Sequence, residues 1–169
     1  DGASTLTISA VEQITGSSGA DSITLGAATS QATVDGGGGD DSLTLADGGN
    51  TVYVSDVETI TGGSGNNTMT GNAGADTLIG GAGNDTLTGG TGNDTLLGGD
   101  GTDTVMFSGN QSDYEIVWAS ATRQFTITST LEGVDQVSGV EAFNFAGSVV
   151  LTSSLQTSNG STGSTGATG

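Results

Sequence analysis

Aspartates recur every nine residues in the middle of this chain, each within a glycine-rich stretch. Five copies of one pattern run without a break from Gly62 to Met106, namely GGSGNNTMT, GNAGADTLI, GGAGNDTLT, GGTGNDTLL and GGDGTDTVM. The shared pattern is G-G-x-G-x-D-x-U-x, where U is a large aliphatic residue. Aspartate supplies the hard oxygen ligand that Ca²⁺ prefers. Glycine permits the positive φ values of tight turns and a close approach of backbone carbonyls. The pattern therefore indicates calcium chemistry repeated along the chain.

The last three residues of each copy must position these ligands. The triplet x-U-x fits a short β-strand whose middle side chain points inwards. We expect the inward residues to stack in two apolar columns between two short parallel sheets, each contributing roughly 1.5–3 kcal/mol when buried. These residues are Met69, Leu78, Leu87, Leu96 and Val105. Such a repeat is stabilised by the stacking of neighbours.

Composition and charge restrict the possible partners and chemistry. The 169 residues include 19 acidic residues and one basic residue, Arg123, for a formal charge of −18. That charge predicts cations as partners and excludes nucleic acid. The chain has no cysteine and no histidine, which removes disulfides, thiolate zinc sites and the commonest general base. No apolar stretch reaches membrane-spanning length, so we expect no membrane insertion.

Weaker copies of the pattern precede the regular ones. Residues 36–44 read GGGGDDSLT with Asp41 in the ligand position, and residues 16–24 read GSSGADSIT with Asp21 there. We interpret residues 1–61 as an irregular β-solenoid with degenerate repeats and residues 62–106 as its regular continuation.

The composition changes after Met106. Six of the seven aromatic residues lie between Phe107 and Phe145, and their alternation with polar residues predicts antiparallel hairpins with one buried face. A solenoid exposes strand edges at its end and needs a cover. We therefore predict a C-terminal antiparallel β cap over residues 107–151. Residues 152–169 are predicted to form a flexible Gly/Ser/Thr tail, and the abrupt ends suggest a segment of a longer protein.

The nonapeptides resemble the RTX, or haemolysin-type calcium-binding, family of secreted bacterial proteins. The match is specific over residues 62–106 and weaker over residues 16–44, and the stretch after residue 103 resembles the domain that commonly follows such repeats. The resemblance implies an all-β fold, a right-handed parallel β-roll with two nonapeptides per turn. Copies i and i+2 would then stack, and each ion would bind between stacked turns through aspartate side chains and turn carbonyls.

Carried over to this chain, the resemblance implies several Ca²⁺ ions. Asp85 and Asp103 would share one, and Asp76 and Asp94 another. Asn67 with Asp85 would form a weaker or differently filled site, because asparagine lacks the charge. Asp21 and Asp41 are further candidate ligands whose irregular spacing leaves their partners unassigned. The implied backbone ligands are the carbonyls of Gly71, Ala73, Gly80, Ala82, Gly89, Thr91, Gly98 and Asp100.

Three departures from the pattern leave the number of ions open. Asn67 stands in the aspartate position, while Ser17 and Asn72 replace the second glycine of their copies.

The resemblance implies a calcium-binding module that folds on Ca²⁺ after type I secretion. In that role it would stabilise a larger extracellular protein and aid its export. The alternative is a Ca²⁺-dependent structural subunit of a bacterial surface layer, filament or adhesin, with copies of itself as partners. Both place the chain outside the cell or at its surface. We expect no enzyme, because the turns account for most of the acidic residues and nothing marks a cleft.

Overall fold

The computed structural model describes residues 5–8 and 13–156. Nearly every regular element in these ranges is a short β-strand, as expected where a threonine-rich triplet is bounded by glycine turns. The strands are β1 (Thr5–Ile8), β2 (Gln13–Thr15), β3 (Ser22–Leu25), β4 (Ala32–Asp35), β5 (Ser42–Thr44), β6 (Thr51–Ser55), β7 (Thr59–Thr61), β8 (Thr68–Thr70), β9 (Thr77–Ala82), β10 (Thr86–Thr88), β11 (Thr95–Asp100), β12 (Thr104–Phe107), β13 (Glu115–Ala119), β14 (Gln124–Ser129), β15 (Gly133–Ser138), β16 (Ala142–Phe145) and β17 (Ser148–Leu151).

The chain alternates between two sheets from strand to strand. Odd-numbered strands β1 to β11 pair in parallel in one sheet, and even-numbered strands β2 to β12 pair in parallel in the other. The predicted parallel β-solenoid is therefore confirmed. Thr68 of β8 pairs with Thr86 of β10, which pairs with Thr104 of β12. Each step spans two nonapeptides, which confirms the predicted stacking of copies i and i+2.

The degenerate upstream turns keep the same register although their lengths differ. Ser22 of β3 pairs with Ser42 of β5, which pairs with Thr59 of β7. These strand-to-strand steps are 20 and 17 residues long instead of 18. The difference is absorbed in the loops, because hydrogen bonding between strands fixes the register of each strand.

The core consists of two apolar columns between the sheets. All five predicted inward residues, Met69, Leu78, Leu87, Leu96 and Val105, are 0% exposed. The upstream turns continue the columns with Ala32, Leu43, Val52 and Ile60, which are also buried.

The predicted antiparallel strands at the C-terminus are confirmed, and two strands of this region also extend the solenoid. Strands β13 and β14 make the expected antiparallel hairpin, and β17 pairs antiparallel with β16. Strand β15 pairs in parallel with β11, and β16 pairs in parallel with β12. Stacked aromatic side chains then replace the aliphatic columns, with the rings of Phe107 and Phe145 5.0 Å apart. The sequence pattern predicted the hairpin and gave no sign of the two parallel strands.

A short 3₁₀ helix (Gln111–Asp113) precedes the hairpin, and a single helical turn α1 (Thr152–Leu155) follows β17. Thr152 and Leu155 are buried, so this start of the predicted tail packs on the cap. The tail beyond Gln156 lies outside the described residues. Within the described ranges, no helix is long and apolar enough to cross a membrane.

The inward column can be tested with two adjacent leucines. Leu96 is 0% exposed, while Leu97 is 39% exposed on the outer face of β11. We expect Leu96→Ala to lower the free energy of unfolding by about 2–5 kcal/mol, because it opens a cavity in the column. Leu97→Ala should change it by about 0.5 kcal/mol. Denaturant titration in saturating calcium measures both, and equal losses would contradict the assignment of the column.

Candidate metal site

Acceptor side chains form two ladders along the two edges of the solenoid. Each acceptor stands two residues before an inward apolar residue, and all except Asp135, which lies within β15, immediately precede a strand. The first ladder contains Asp21, Asp41, Glu58, Asp76, Asp94 and Asp135, and the second contains Asn50, Asn67, Asp85, Asp103 and Glu141.

Most neighbouring members of a ladder are joined by hydrogen bonds. The backbone N–H of Asp76 donates to Asp94 Oδ1 over 2.9 Å, and that of Asp85 donates to Asp103 Oδ1 over 2.8 Å. The backbone N–H of Asn67 donates to Asp85 Oδ1 over 2.7 Å. The structure therefore brings together all three predicted pairs. Whether each pair shares an ion remains a prediction.

The structure also provides the partners that the spacing of Asp21 and Asp41 left unassigned. The backbone N–H of Asp21 donates to Asp41 Oδ1, and that of Asp41 donates to Glu58 Oε2, each over 2.6 Å. Both aspartates therefore belong to the first ladder.

Four members of the ladders were missed because they lie outside a clear nonapeptide. They are Asn50, Glu58, Asp135 and Glu141. The available signal was local, since each precedes an inward residue by two positions, as in VETI, VDQV and VEAF. That short pattern lacks the glycines that make the nonapeptide conspicuous.

In residues 5–8 and 13–156, which the structure describes, four aspartates have a buried oxygen without a hydrogen-bond partner. Asp41, Asp85, Asp94 and Asp103 are at most 2% exposed, and the Oδ2 atom of each has no hydrogen-bond partner. Burying a carboxylate oxygen without a partner is costly. A bound cation would remove that cost.

Glycine makes room for backbone oxygens beside these carboxylates. A Cβ atom placed on Gly80 would meet both Asp85 Oδ2 and the carbonyl oxygen of Gly98 in the next turn. On the other edge, a Cβ on Gly71 would lie 2.7 Å from Asp76 Oδ2 and would meet the Gly89 carbonyl oxygen. Carboxylate and carbonyl oxygens therefore converge, and this hard donor set suits Ca²⁺.

Six of the eight predicted carbonyl ligands fall into two groups. The carbonyls of Gly80, Gly89 and Gly98 face the carboxylate or amide of the stacked turn. Those of Ala82, Thr91 and Asp100 accept backbone N–H bonds from Gly65, Gly74 and Gly83. The remaining two predicted residues pair with other backbone, Ala73 in an isolated bridge to Thr91 and Gly71 through its N–H to Thr88.

The type of residue at the second position of a copy correlates with whether the Oδ2 atom of that copy's aspartate has a hydrogen-bond partner. The four unpartnered oxygens all lie in copies whose second residue is a glycine with φ between 96° and 121°, namely Gly37, Gly81, Gly90 and Gly99. Where Ser17 or Asn72 replaces that glycine, its backbone N–H donates to Oδ2 of Asp21 or Asp76, over 2.7 and 2.9 Å. Residues with a Cβ disfavour the positive φ, so these two departures supply a donor from the protein.

Asparagine satisfies its own position in a different way. The Asn67 amide nitrogen donates to the carbonyl oxygens of Gly65 and Gly80, over 2.9 and 3.4 Å. Asn50 donates likewise to the carbonyls of Ala46 and Gly48, both over 2.8 Å. An amide N–H therefore occupies the position that a cation would need.

Burial and mutual repulsion act on the ladder carboxylates. Burial raises the pKa of Asp76, Asp94 and Asp103, and in each case a neighbouring carboxylate adds to the effect. Burial, with repulsion from Asp94 and Glu132, raises the pKa of Asp135 to about 7. The charged ladder therefore opposes folding until protons or cations neutralise it.

In the part of the chain that the structure describes, no three acidic side chains converge on one point as a ready-made metal cluster. A cation in the ladders would therefore rely on one or two carboxylates together with backbone carbonyls.

The family model described as the RTX calcium-binding nonapeptide repeat matches residues 9–29, 54–87 and 79–111, with four copies. The chain carries RTX calcium-binding repeats. Such repeats bind calcium, and the β-roll that they form is a structural, non-catalytic module. The RTX family is typical of secreted bacterial proteins. No curated protein matches the chain.

The raised pKa values of the ladder aspartates predict how the folding of this chain depends on pH in the absence of calcium. Because the folded state holds these protons more tightly than the unfolded chain, its stability is greatest at low pH. It should fall as pH rises from about 4, the ordinary carboxyl pKa, through about 7, the pKa of Asp135. Circular dichroism in chelator should therefore show more β-structure at the acid end of this range.

Asp135→Asn supplies the control for this experiment. The substitution removes the most strongly shifted carboxyl and should weaken the pH dependence near neutrality. A folded fraction that increases with pH in chelator would contradict the prediction.

Proposed function

We propose that this chain is an RTX module that folds when it binds calcium after type I secretion, and that it stabilises and aids the export of a larger extracellular protein. The observation that carries the proposal is the set of four buried aspartate oxygens without a partner, in a chain of formal charge −18. The protein supplies one arginine against this charge. External cations are therefore the available means of neutralisation.

The free energy of calcium binding favours a chain that is unfolded inside the cell and folded outside it. At about 1 mM calcium and a dissociation constant of about 10⁻⁴ M, each independent site contributes about 1.4 kcal/mol. Several sites then add a large part of the roughly 5–15 kcal/mol that stabilises a typical domain. At about 10⁻⁷ M calcium the same sites contribute essentially nothing. The chain would remain exportable inside the cell and fold outside it.

We propose that the predicted ligands differ in their use. Asp41, Asp85, Asp94 and Asp103 hold calcium, because each has an unpartnered buried oxygen. Asp76 and Asp21 serve mainly as structural acceptors, because a backbone N–H already occupies their second oxygen. Asn67 replaces a cation with its amide protons. We propose further that residues 62–106 are the regular roll, with residues 1–61 as its upstream extension and residues 107–151 as its cap.

The folding switch can be tested by circular dichroism. We expect disorder in chelator at neutral pH and β-structure at millimolar calcium. Asp85→Asn should raise the calcium midpoint by about tenfold, because loss of a ligand charge weakens a calcium site. Asp21→Asn should have a smaller effect, because Ser17 already donates to that carboxylate. Equal folding with and without calcium would refute the switch.

We propose that the backbone N–H of Asn72 prevents calcium binding at Asp76, and a substitution that removes this hydrogen bond tests the proposal. Asn72→Gly would permit the positive φ that the equivalent glycines adopt and would free Asp76 Oδ2. Isothermal titration calorimetry should then detect one additional calcium ion. Asn72→Ala is the matched control, because it removes the side chain but keeps the Cβ, and it should leave the ion count unchanged. An unchanged count in Asn72→Gly would contradict this assignment.

A second candidate function rests on β17, the outermost strand of the sheet that also contains β2 to β12. Val149 and Leu151 of β17 are 62% and 59% exposed, and a terminal strand offers unpaired backbone groups to another strand. This arrangement favours a calcium-dependent structural subunit whose partners are copies of itself, as in a surface layer, filament or adhesin.

Size-exclusion chromatography with and without calcium tests the assembly idea. Light scattering on the eluted peak gives the mass independently of unfolding: an assembling protein should show a multiple of the 16.3 kDa monomer mass in calcium, and Val149→Lys should restore the monomer mass. A monomer under both conditions would exclude the structural subunit and leave the export module untouched.

A further inference from the structure

Two loops outside the glycine-rich nonapeptides share one local structure. The first is Asp56-Val57-Glu58 and the second is Gly139-Val140-Glu141; we call them the VE loops. Each begins with a residue of positive φ, 51° at Asp56 and 62° at Gly139. Each central valine is buried, with exposures of 0% and 6%. The buried valine and the turn before it fix the position of the glutamate.

Each VE loop docks on the preceding nonapeptide turn through its glutamate. Glu58 Oε2 accepts the backbone N–H of Asp41 over 2.6 Å, and Glu141 Oε2 accepts that of Asp103 over 2.8 Å. These contacts match the bond between Asp85 and Asp103 in two stacked nonapeptides. A glutamate on a short loop thus replaces the aspartate of a glycine-rich one.

The backbone contacts of the two VE loops also agree. The Asp41 carbonyl accepts the N–H groups of Glu58 and Thr59, over 3.2 and 3.1 Å. The Asp103 carbonyl accepts those of Glu141 and Ala142, both over 3.1 Å. The same docking therefore occurs twice, although the sequence separations are 17 and 38 residues.

The aspartates that receive the VE loops are two of the four with an unpartnered oxygen. A Cβ on Gly36 would lie 2.5 Å from Asp41 Oδ2 and would meet the Asp56 carbonyl oxygen. A Cβ on Gly98 would lie 2.6 Å from Asp103 Oδ2 and would meet the Gly139 carbonyl oxygen. Asp41 and Asp103 are 1% and 0% exposed. Each oxygen is therefore buried beside a carbonyl supplied by the first residue of the loop.

We propose that each VE loop completes a calcium site with the nonapeptide turn on which it docks. One site combines the Asp41 carboxylate, the Asp56 carbonyl and the Glu58 carboxylate; the other combines the Asp103 carboxylate, the Gly139 carbonyl and the Glu141 carboxylate. This inference rests on the proposed calcium-dependent function and extends it beyond the nonapeptide repeats.

The second of these sites joins the roll to the cap. Glu141 immediately precedes β16, which pairs with β12 of the roll. A cation held between Asp103 and Glu141 would therefore stabilise the docking of the cap. The single tryptophan of the chain, Trp118, lines a cavity of about 310 Å³ together with Glu141 and Arg123. Its emission can report on this site separately from the other.

Calorimetry and terbium luminescence on the whole chain test the proposal. Four proteins are compared: the wild type, Glu58→Gln, Glu141→Gln and the matched control Glu115→Gln, a cap glutamate outside the VE loops. We expect each VE-loop variant to lose one calcium ion or to bind it at least about tenfold more weakly, while Glu115→Gln retains the wild-type count. Tb³⁺ emission sensitised by Trp118 should fall in Glu141→Gln and persist in Glu58→Gln.

The outcomes separate this inference from the proposed function. A wild type that binds no calcium would refute the proposed function itself. A wild type that binds calcium, with both glutamate variants unchanged in ion count and affinity, would overturn only the VE-loop sites.

Two further variants distinguish a direct ligand role of Glu141 from an indirect one. Arg123→Gln tests whether Glu141 acts merely as the counter-ion of Arg123, in which case it would reproduce the loss seen in Glu141→Gln. If Glu141→Gln fails to fold, Glu141→Asp keeps the charge on a shorter side chain. It should fold with weakened terbium emission, and full wild-type emission would count against a direct ligand role.

Discussion

The structure depends on the hydrogen bond from each turn to the acceptor carboxylate of the next. The backbone N–H of Asp85 donates a hydrogen bond to one oxygen of Asp103. The other oxygen of that carboxylate is buried and has no hydrogen-bond partner. The contact that links successive turns therefore also stacks negative charges along each edge. Burial and repulsion raise the pKa of several of these carboxyls. In the proposed function, neutralisation by cations resolves that conflict and makes folding responsive to calcium.

This constraint is local, and it tolerates large changes between the turns. Steps of 17, 18, 20, 38 and 41 residues all return an acceptor to the same place in the ladder. Each turn must supply an inward apolar residue and, two positions before it, a polar acceptor. The chain can therefore insert a complete hairpin, β13 and β14, in the sequence before β15, and β15 still pairs directly with β11. The aromatic cluster around Phe107 and Phe145 fills the end of the core.

Small changes within a turn decide what neutralises its carboxylate. A glycine with positive φ at the second position leaves the oxygen free, as beside Asp85. Asn72 at that position directs a backbone N–H to Asp76, and Asn67 brings its own amide protons. On the proposed assignment, one fold mixes cation sites with turns that the protein satisfies by itself, and the ion count depends on those residues as well as on the number of repeats.

The sequence alone determined the architecture of the regular turns and the pairing of their aspartates. The nine-residue period fixes the phase once the resemblance to RTX repeats supplies two copies per turn, and U residues such as Leu87 then point inwards. It also located the antiparallel hairpin through the alternation of its aromatic residues. Only the tertiary structure decided the partners of Asp21 and Asp41 and the roles of Glu58, Asp135 and Glu141. Loops of unequal length bring those residues together, and hydrogen bonding between strands, which sequence spacing does not reveal, sets where each loop returns.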